Sequence, residues 1–369
     1  MFNKIRINMN NRPIYDISFH NSFDYISEVI DVLNISDRRI CIISDSNVEK
    51  YHMDTVRNAL APLCDKVYSF SFAAGEKQKN THTIEDMYSY IIEHHFDRND
   101  VIFALGGGVV GDMSGFLAAT YLRGIRFVQL PTSLLAMVDS SIGGKTGVDF
   151  NGYKNMVGAF HMPSYVYINM DVLNTLPDRE YISGFAEIIK HSIIKDKEYF
   201  NYLICNSDKA LGRNLSIMAE IIYRSCQIKQ SVVEEDPTEK GIRAHLNFGH
   251  TIGHAIEKYM NFSMLHGECV ALGSVAALYI SLKRNLITEE EYIAAVELFK
   301  AYRLPVNLYG INDSDIDKII AITKSDKKAD NNCIKFVLVN GIGNAFTDKT
   351  VTDEEMKEAL KMITGGQNE

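Results

Sequence analysis

The feature that most constrains the fold is an alternation filling the first half of the chain. Short runs rich in β-branched and aromatic residues are separated by segments whose apolar positions recur at helical spacing. Residues 39–45 (Arg-Ile-Cys-Ile-Ile-Ser-Asp) read as a strand and 48–63 as a helix. A second strand at 66–72, a second helix at 82–96 and a third strand at 101–105 follow, with further strands at 127–130 and 166–169. Strands joined through helices run parallel, so this pattern predicts a parallel sheet covered by helices. The alternation of Ile5, Ile7 and Met9 predicts one more strand.

From about Asp178 the texture changes to long amphipathic segments at 178–206, 216–235, 250–260, 268–284 and 288–302, interrupted by a strand candidate at 335–339. The second half is therefore expected to be mainly helical. A chain of 369 residues exceeds what one core usually serves. We expect domains at 1–177 and 178–369, divided at Leu176-Pro177-Asp178 with Asp178 as an N-cap.

Composition excludes several classes. A net charge of −9 argues against coating nucleic acid or a membrane surface. The most apolar window, 101–122, contains a triple glycine and Asp112, which a membrane helix would not. Six cysteines without paired spacing read as reduced core thiols of a cytoplasmic protein, and the first residues lack the apolar core of a signal peptide.

Three of the eleven histidines lie in Leu246-Asn-Phe-Gly-His250-Thr-Ile-Gly-His254 and His266-Gly-Glu268. Upstream, Gly184-Phe-Ala-Glu187-Ile-Ile-Lys190 supplies a carboxylate between apolar neighbours, with Lys190 and His191 on the same helical face. Histidine and carboxylate are the ligands of a catalytic zinc site, which keeps one position open. Thr251 follows His250 where a zinc protease needs glutamate, so proteolysis is excluded. A surface ion pair is the bland reading of Glu187 and Lys190, but Glu187, His250 and His266 together outweigh it.

Further stretches point to an anionic ligand. Val101-Ile-Phe-Ala-Leu-Gly106-Gly-Gly108-Val-Val-Gly111-Asp112 is a strand, a glycine turn and a helix start, which lets a diphosphate approach backbone N–H groups. Its spacing is not the usual dinucleotide fingerprint. Asp45 and Gly75-Glu76-Lys77-Gln78-Lys79 follow the first two strands of the alternation, at the edge where such ligands bind. The segment from Pro131 to Gly147 is dense in small polar residues around Lys145, and Lys154-Asn155 is read as part of another glycine-bearing turn.

These elements, in this order, resemble the 3-dehydroquinate synthases of the sugar-phosphate cyclase group along nearly the whole chain. The matching elements are Asp45-Ser-Asn47, Gly75 to Lys79, Gly106 to Asp112, Arg123-Gly124, Pro131 to Gly147, Lys154-Asn155, Leu176 to Glu180, Gly184 to Lys190, Glu239 to His254 and His266-Gly-Glu268. Ser133 stands where threonine is common, and Gly147-Val-Asp149 replaces an alanine-containing run. The resemblance implies an α/β Rossmann-like N-terminal domain binding NAD and a mainly α-helical C-terminal domain binding a divalent metal ion, zinc or cobalt. It implies conversion of 3-deoxy-D-arabino-heptulosonate 7-phosphate to 3-dehydroquinate and phosphate, in a homodimer whose Arg123 reaches the neighbour's phosphate site.

Residue by residue, it implies Glu187, His250 and His266 as metal ligands, and Glu239, His254, Lys190, Lys145 and Arg243 as catalytic groups. It places Asp45, Asn47, Glu76, Lys79, Gly107, Gly108, Val109, Asp112, Thr132, Ser133, Lys154 and Thr175 along NAD. Arg123, Lys145, Asn155, Asn247, His254 and Lys327 (or Lys328) would surround the phosphate, and Lys229 and Arg243 the carboxylate, with Asp139 and Lys190 also against substrate. The rival readings are a sister cyclase such as 2-deoxy-scyllo-inosose synthase, a metal-dependent polyol dehydrogenase of the glycerol dehydrogenase type, and a non-catalytic NAD-binding scaffold.

Overall fold

The computed structural model describes residues 4–64, 66–239, 241–325 and 335–365. They form two compact units, Met1–Pro177 with Met218–Gln230, and Asp178–Ile217 with Ser231–Glu369. The middle of the helix Leu215–Glu235 therefore belongs to the first unit and its ends to the second.

The first unit is built on a seven-stranded sheet. Its strands are β1 (Ile5–Met9), β2 (Arg12–His20), β3 (Arg39–Asp45), β4 (Lys66–Phe72), β5 (Val101–Gly106), β6 (Arg126–Pro131) and, later in the chain, β9 (Tyr165–Asn169). The order is β1-β2-β9-β6-β5-β3-β4, and only β1 runs antiparallel to its neighbour. β5 is buried at every position, as a strand covered on both faces must be. Ile43, Ile102, Ala104, Met113, Leu117 and Phe127 share one core between the sheet and the helix Gly108–Thr120.

Two hairpins of the first unit went unforeseen. β1 returns into β2 through Asn10 and Asn11, with φ of 51° and 60°, and asparagine tolerates these values better than most residues. β7 (Lys145–Phe150) pairs antiparallel with β8 (Tyr153–Phe160) across Asn151-Gly152. Lys154 and Asn155 thus lie on a strand, not in the turn expected from the glycines around them. The segment before β7 is not a surface loop: Leu134, Ala136, Met137 and Val138 are buried in a helical turn.

The expected helix at 48–63 is three pieces, Ser46–Val48, a π-turn Glu49–Met53 and Asp54–Leu60. In the second unit, the expected 178–206 segment breaks at Asp196, whose carboxylate caps Tyr199 N–H at 2.8 Å and starts the helix Lys197–Leu211. Asp178 is the first residue of the helix Asp178–Lys195, one place inside the expected cap. The helix His266–Lys283 is buried on almost every face and packs against Asp178–Lys195 and His250–Tyr259. A two-stranded hairpin, β10 (Phe336–Val339) and β11 (Ala345–Asp348), lies beside it.

Candidate active site

Because β3, β4, β5 and β6 are parallel, their carboxyl ends share one edge of the sheet. That edge collects residues assigned to NAD. Asp45 ends β3, and its Oδ1 accepts the N–H groups of Asn47 and Val48 at 2.8 and 3.0 Å. Gly107 is the N-cap of the helix Gly108–Thr120, directly after β5, and Val109 lies in its first turn. Thr132 N–H donates to Gly106 O at 2.9 Å, tying the end of β6 to the same turn. Ser133 Oγ accepts from Ala136 N–H at 3.2 Å, and Thr175 Oγ1 lies 2.8 Å from His52 Nε2. Past β4, Glu76 meets Lys154 Nζ at 3.4 Å. Lys79 is buried, and its ammonium donates to Asp112 at 2.7 Å and to Asn155 Oδ1 at 2.5 Å. Asn155 is thereby drawn beside two residues expected at the cofactor.

The other substrate candidates of this unit are less uniform. Lys145 opens β7 and is exposed. Arg123 is exposed at the end of a 3₁₀ turn, with φ of 68° directly after Leu122 at 49°. Two successive non-glycine residues in the left-handed region carry strain, which concentrates at functional places. Lys229 is buried and donates to both the carboxylate and the backbone carbonyl of Asp139. It is not a solvated surface cation.

In the second unit, Glu187, His250 and His266 converge. Their donor atoms lie within 4.8 Å of one another. His250 Nε2 and His266 Nε2 stand 3.5 and 3.3 Å from Glu187 Oε1, and the Lys190 ammonium lies against Oε2. His250 Nδ1 is 3.1 Å from Phe248 O, an acceptor only, so Nδ1 carries the proton and the Nε2 lone pair faces Glu187. Burial and the Lys190 charge hold His250 well below the usual imidazole range. Burial alone would raise the Glu187 carboxyl, but Lys190 and the two histidines hold it well below its ordinary value. For His266, hydrogen bonding to Glu187 and Glu257 outweighs burial and pushes it up to about 9. A second group of donors, His254 with Glu257 and His266, shares His266.

Nearby, Arg243 is buried, with Nη1 donating to Pro237 O at 2.7 Å and its own N–H to Asp236 at 3.1 Å. Asn247 donates to Glu239 Oε1 at 3.0 Å, and Glu239 has a φ of 60°. His254 is exposed, its ring 5.0 Å from that of His250. Lys327 and Lys328 lie outside the described residues.

A family model described as 3-dehydroquinate synthase N-terminal matches residues 69–183, and one described as 3-dehydroquinate synthase C-terminal matches 184–329. The 3-dehydroquinate synthase of Acetivibrio thermocellus is 43% identical over 353 residues, covering 96% of this chain and 97% of its own. The chain belongs to the 3-dehydroquinate synthase family. Another family relative, from Rippkaea orientalis, is 44% identical over 326 residues and covers 88% of each chain. Among solved structures, 2-epi-5-epi-valiolone synthase from Streptomyces hygroscopicus subsp. jinggangensis, determined with NAD+ and Zn2+, superimposes with a TM-score of 0.88 at 26% identity, covering 97% of this chain and 99% of that one. A 2-deoxy-scyllo-inosose synthase determined with carbaglucose-6-phosphate, NAD+ and Co2+ gives 0.84 at 25% identity, covering 98% and 100%. A structure from Sinorhizobium meliloti described as a probable glycerol dehydrogenase, at 15% identity and a TM-score of 0.66, shares the fold.

The residues present fit a divalent cation. The Glu187 carboxylate is fully buried, with the Lys190 ammonium against one oxygen and the two imidazoles facing the other. A cation between this carboxylate and the His250 Nε2 lone pair that faces it would turn two opposed acceptors into ligands, as in a catalytic metal site. The sequence reading missed Glu257, a buried carboxylate 4.0 Å from His266 Nδ1. Its place three residues after His254 on the same helical face was the available signal.

Proposed function

We propose that the chain is a 3-dehydroquinate synthase. It converts 3-deoxy-D-arabino-heptulosonate 7-phosphate to 3-dehydroquinate and phosphate through transient oxidation, phosphate elimination, reduction and intramolecular aldol closure. That makes it a carbon–oxygen lyase of the shikimate route to chorismate and the aromatic amino acids. The observation that carries the reading is the buried Glu187 carboxylate with His250 and His266 converging on it, in a chain of this family.

When bound, NAD and a zinc or cobalt ion supply reversible hydride transfer and Lewis acidity at the reacting oxygen. The chain's own part is to hold, orient and neutralise. Glu187, His250 and His266 are the residues that would hold the metal ion. The strand-end residues from Asp45 to Thr175 would hold NAD, with glycine backbone and a helix N-terminus toward its diphosphate. Arg123, Lys145, Asn155, Asn247 and His254 are assigned to the phosphate, where fixed donors stabilise the charge of a departing dianion. Lys190 and Glu239 complete the proposed catalytic groups.

Substrate choice rests on Lys229 and Arg243, both buried. An arginine fork and a lysine charge suit a carboxylate, which a neutral sugar phosphate lacks. We also assign the protein to the cytoplasm, in keeping with Cys41, Cys64, Cys205, Cys226 and Cys269, which are thiols outside any disulfide. No helix among the described residues is long and apolar enough to cross a membrane.

The test is to follow phosphate and NADH together with the seven-carbon acid phosphate and with glucose 6-phosphate. Phosphate should appear in many-fold excess over NADH, from the acid only, and Arg243→Ala should lose much of the preference. NADH accumulating in step with turnover would indicate a polyol dehydrogenase, and turnover of the neutral sugar a sister cyclase.

A further inference from the structure

Two motifs carry no role in the reaction as described: Arg179 in Leu176 to Glu180, and the Gly267-Glu268 pair after His266. In the structure they meet. On the helix Asp178–Lys195, the residues Arg179, Ser183 and Glu187 recur every four positions and so share one face. The start of the helix His266–Lys283 lies against that face, position for position.

At the first position, Arg179 grips Glu268 in a two-pronged ion pair, Nε to Oε1 and Nη2 to Oε2, both at 2.8 Å. Glu268 Oε2 also accepts the N–H of Leu265 at 2.9 Å, closing the turn that presents His266. At the second, Gly267 N–H donates to Ser183 Oγ at 3.2 Å. A Cβ on Gly267 would stand 2.0 Å from Ser183 O, so only glycine allows the two backbones to come this close. At the third, His266 Nε2 faces Glu187 Oε1 at 3.3 Å.

We infer that Arg179 and Glu268 are positioning residues that set the distance between Glu187 and His266, and hence the affinity of their site for a divalent metal ion. The inference rests on the metal reading above. A helix that could slide or rotate at its first turn would carry the His266 imidazole away from the carboxylate. The fork prevents both movements, because a bidentate guanidinium–carboxylate pair fixes orientation as well as distance. Groups that orient metal ligands characteristically change metal affinity by about 10–100-fold when altered. Arg179 is 60% exposed and Glu268 16% exposed, so the fork is anchored on one side only. Its effect on the metal is separated from any effect on folding by measuring the two side by side.

The experiment measures zinc affinity of the metal-free protein by competition with a chromophoric chelator, alongside its unfolding temperature. Arg179→Gln and Glu268→Gln should each weaken zinc binding roughly 10–100-fold, with little change in the unfolding temperature of the metal-free protein. Glutamine at 268 can still accept from Leu265 N–H, so that variant isolates the ion pair from the cap. Arg179→Lys, which keeps charge but not the fork, should lose less, and the double variant should be no worse than either single one. Zinc affinity within twofold of wild type in both single variants overturns the inference. So does a loss of affinity matched by an equal loss of stability, which marks a merely structural pair. Failure of the metal reading looks different: wild type and His250→Ala would then bind zinc equally poorly.

Discussion

Glu28 gathers three side chains of the first unit around one carboxylate. Lys4 Nζ lies at 2.9 Å, His20 Nε2 at 2.8 Å and Tyr165 Oη at 2.9 Å, with the His20 ring stacked on Tyr25 and Tyr167. Burial works to raise the Glu28 carboxyl, but its hydrogen-bonding neighbours prevail and pull it down to about 2. A carboxyl lower in the folded state than in the unfolded one stabilises the fold above the unfolded value of about 4.3. That contribution fades as pH falls through this value toward about 2. Glu28→Gln should therefore cost on the order of 2 kcal/mol near neutral pH, and its deficit should shrink as pH falls, read by urea unfolding at several pH values. A deficit constant from pH 7 to the acid limit would show that the charge is not the cause. None of these partners is adjacent to Glu28 in sequence, so no local pattern announced them. His250 and His254 were legible because a helix repeats within four residues. Asp139 as the partner of Lys229 was not, since it lies on a different element.

Between elements, the closest approach is made by glycine. The helix His266–Lys283 crosses the start of His250–Tyr259 where a Cβ on Gly273 would stand 1.9 Å from Gly249 O and 2.7 Å from Gly253 N. Backbone on both sides cannot yield as a flexible side chain would. Gly273→Ala should force the helices apart, with a loss of about 3 kcal/mol or more in unfolding free energy and weaker metal retention, since the two helices carry His250 and His266. Unchanged urea midpoint and metal content would show that the crossing has slack. The existence of these helices was readable from their apolar spacing, and so was the parallel sheet, because buried strands leave continuous runs such as Val101-Ile-Phe-Ala-Leu. What escaped were breaks and hairpins. The π-turn at Glu49–Met53 leaves no mark on hydrophobic period, and β8 alternates too weakly to read as a strand.

For the whole molecule, the exposed side of the β7–β8 hairpin bears on assembly. Met156 and Phe160 are 67% and 56% exposed, while Val157, on the opposite side, packs on the core. Apolar side chains left in water on a paired strand are what a protein–protein contact covers. We propose that this face belongs to the homodimer the family resemblance implies, and that Arg123, exposed with a strained backbone, reaches the partner. In a symmetric pair each site would then take its metal ligands from one subunit and Arg123 from the other. Arg123→Ala and His250→Ala should each be inactive alone. Co-assembled, one site in every mixed dimer regains both an intact metal set and an intact arginine, so phosphate release should return, in proportion to the fraction of mixed dimers. The measurement is turnover of differently tagged, co-purified heterodimers against each parent. Verified heterodimers with no activity above the parents would mean that Arg123 serves its own subunit, or none.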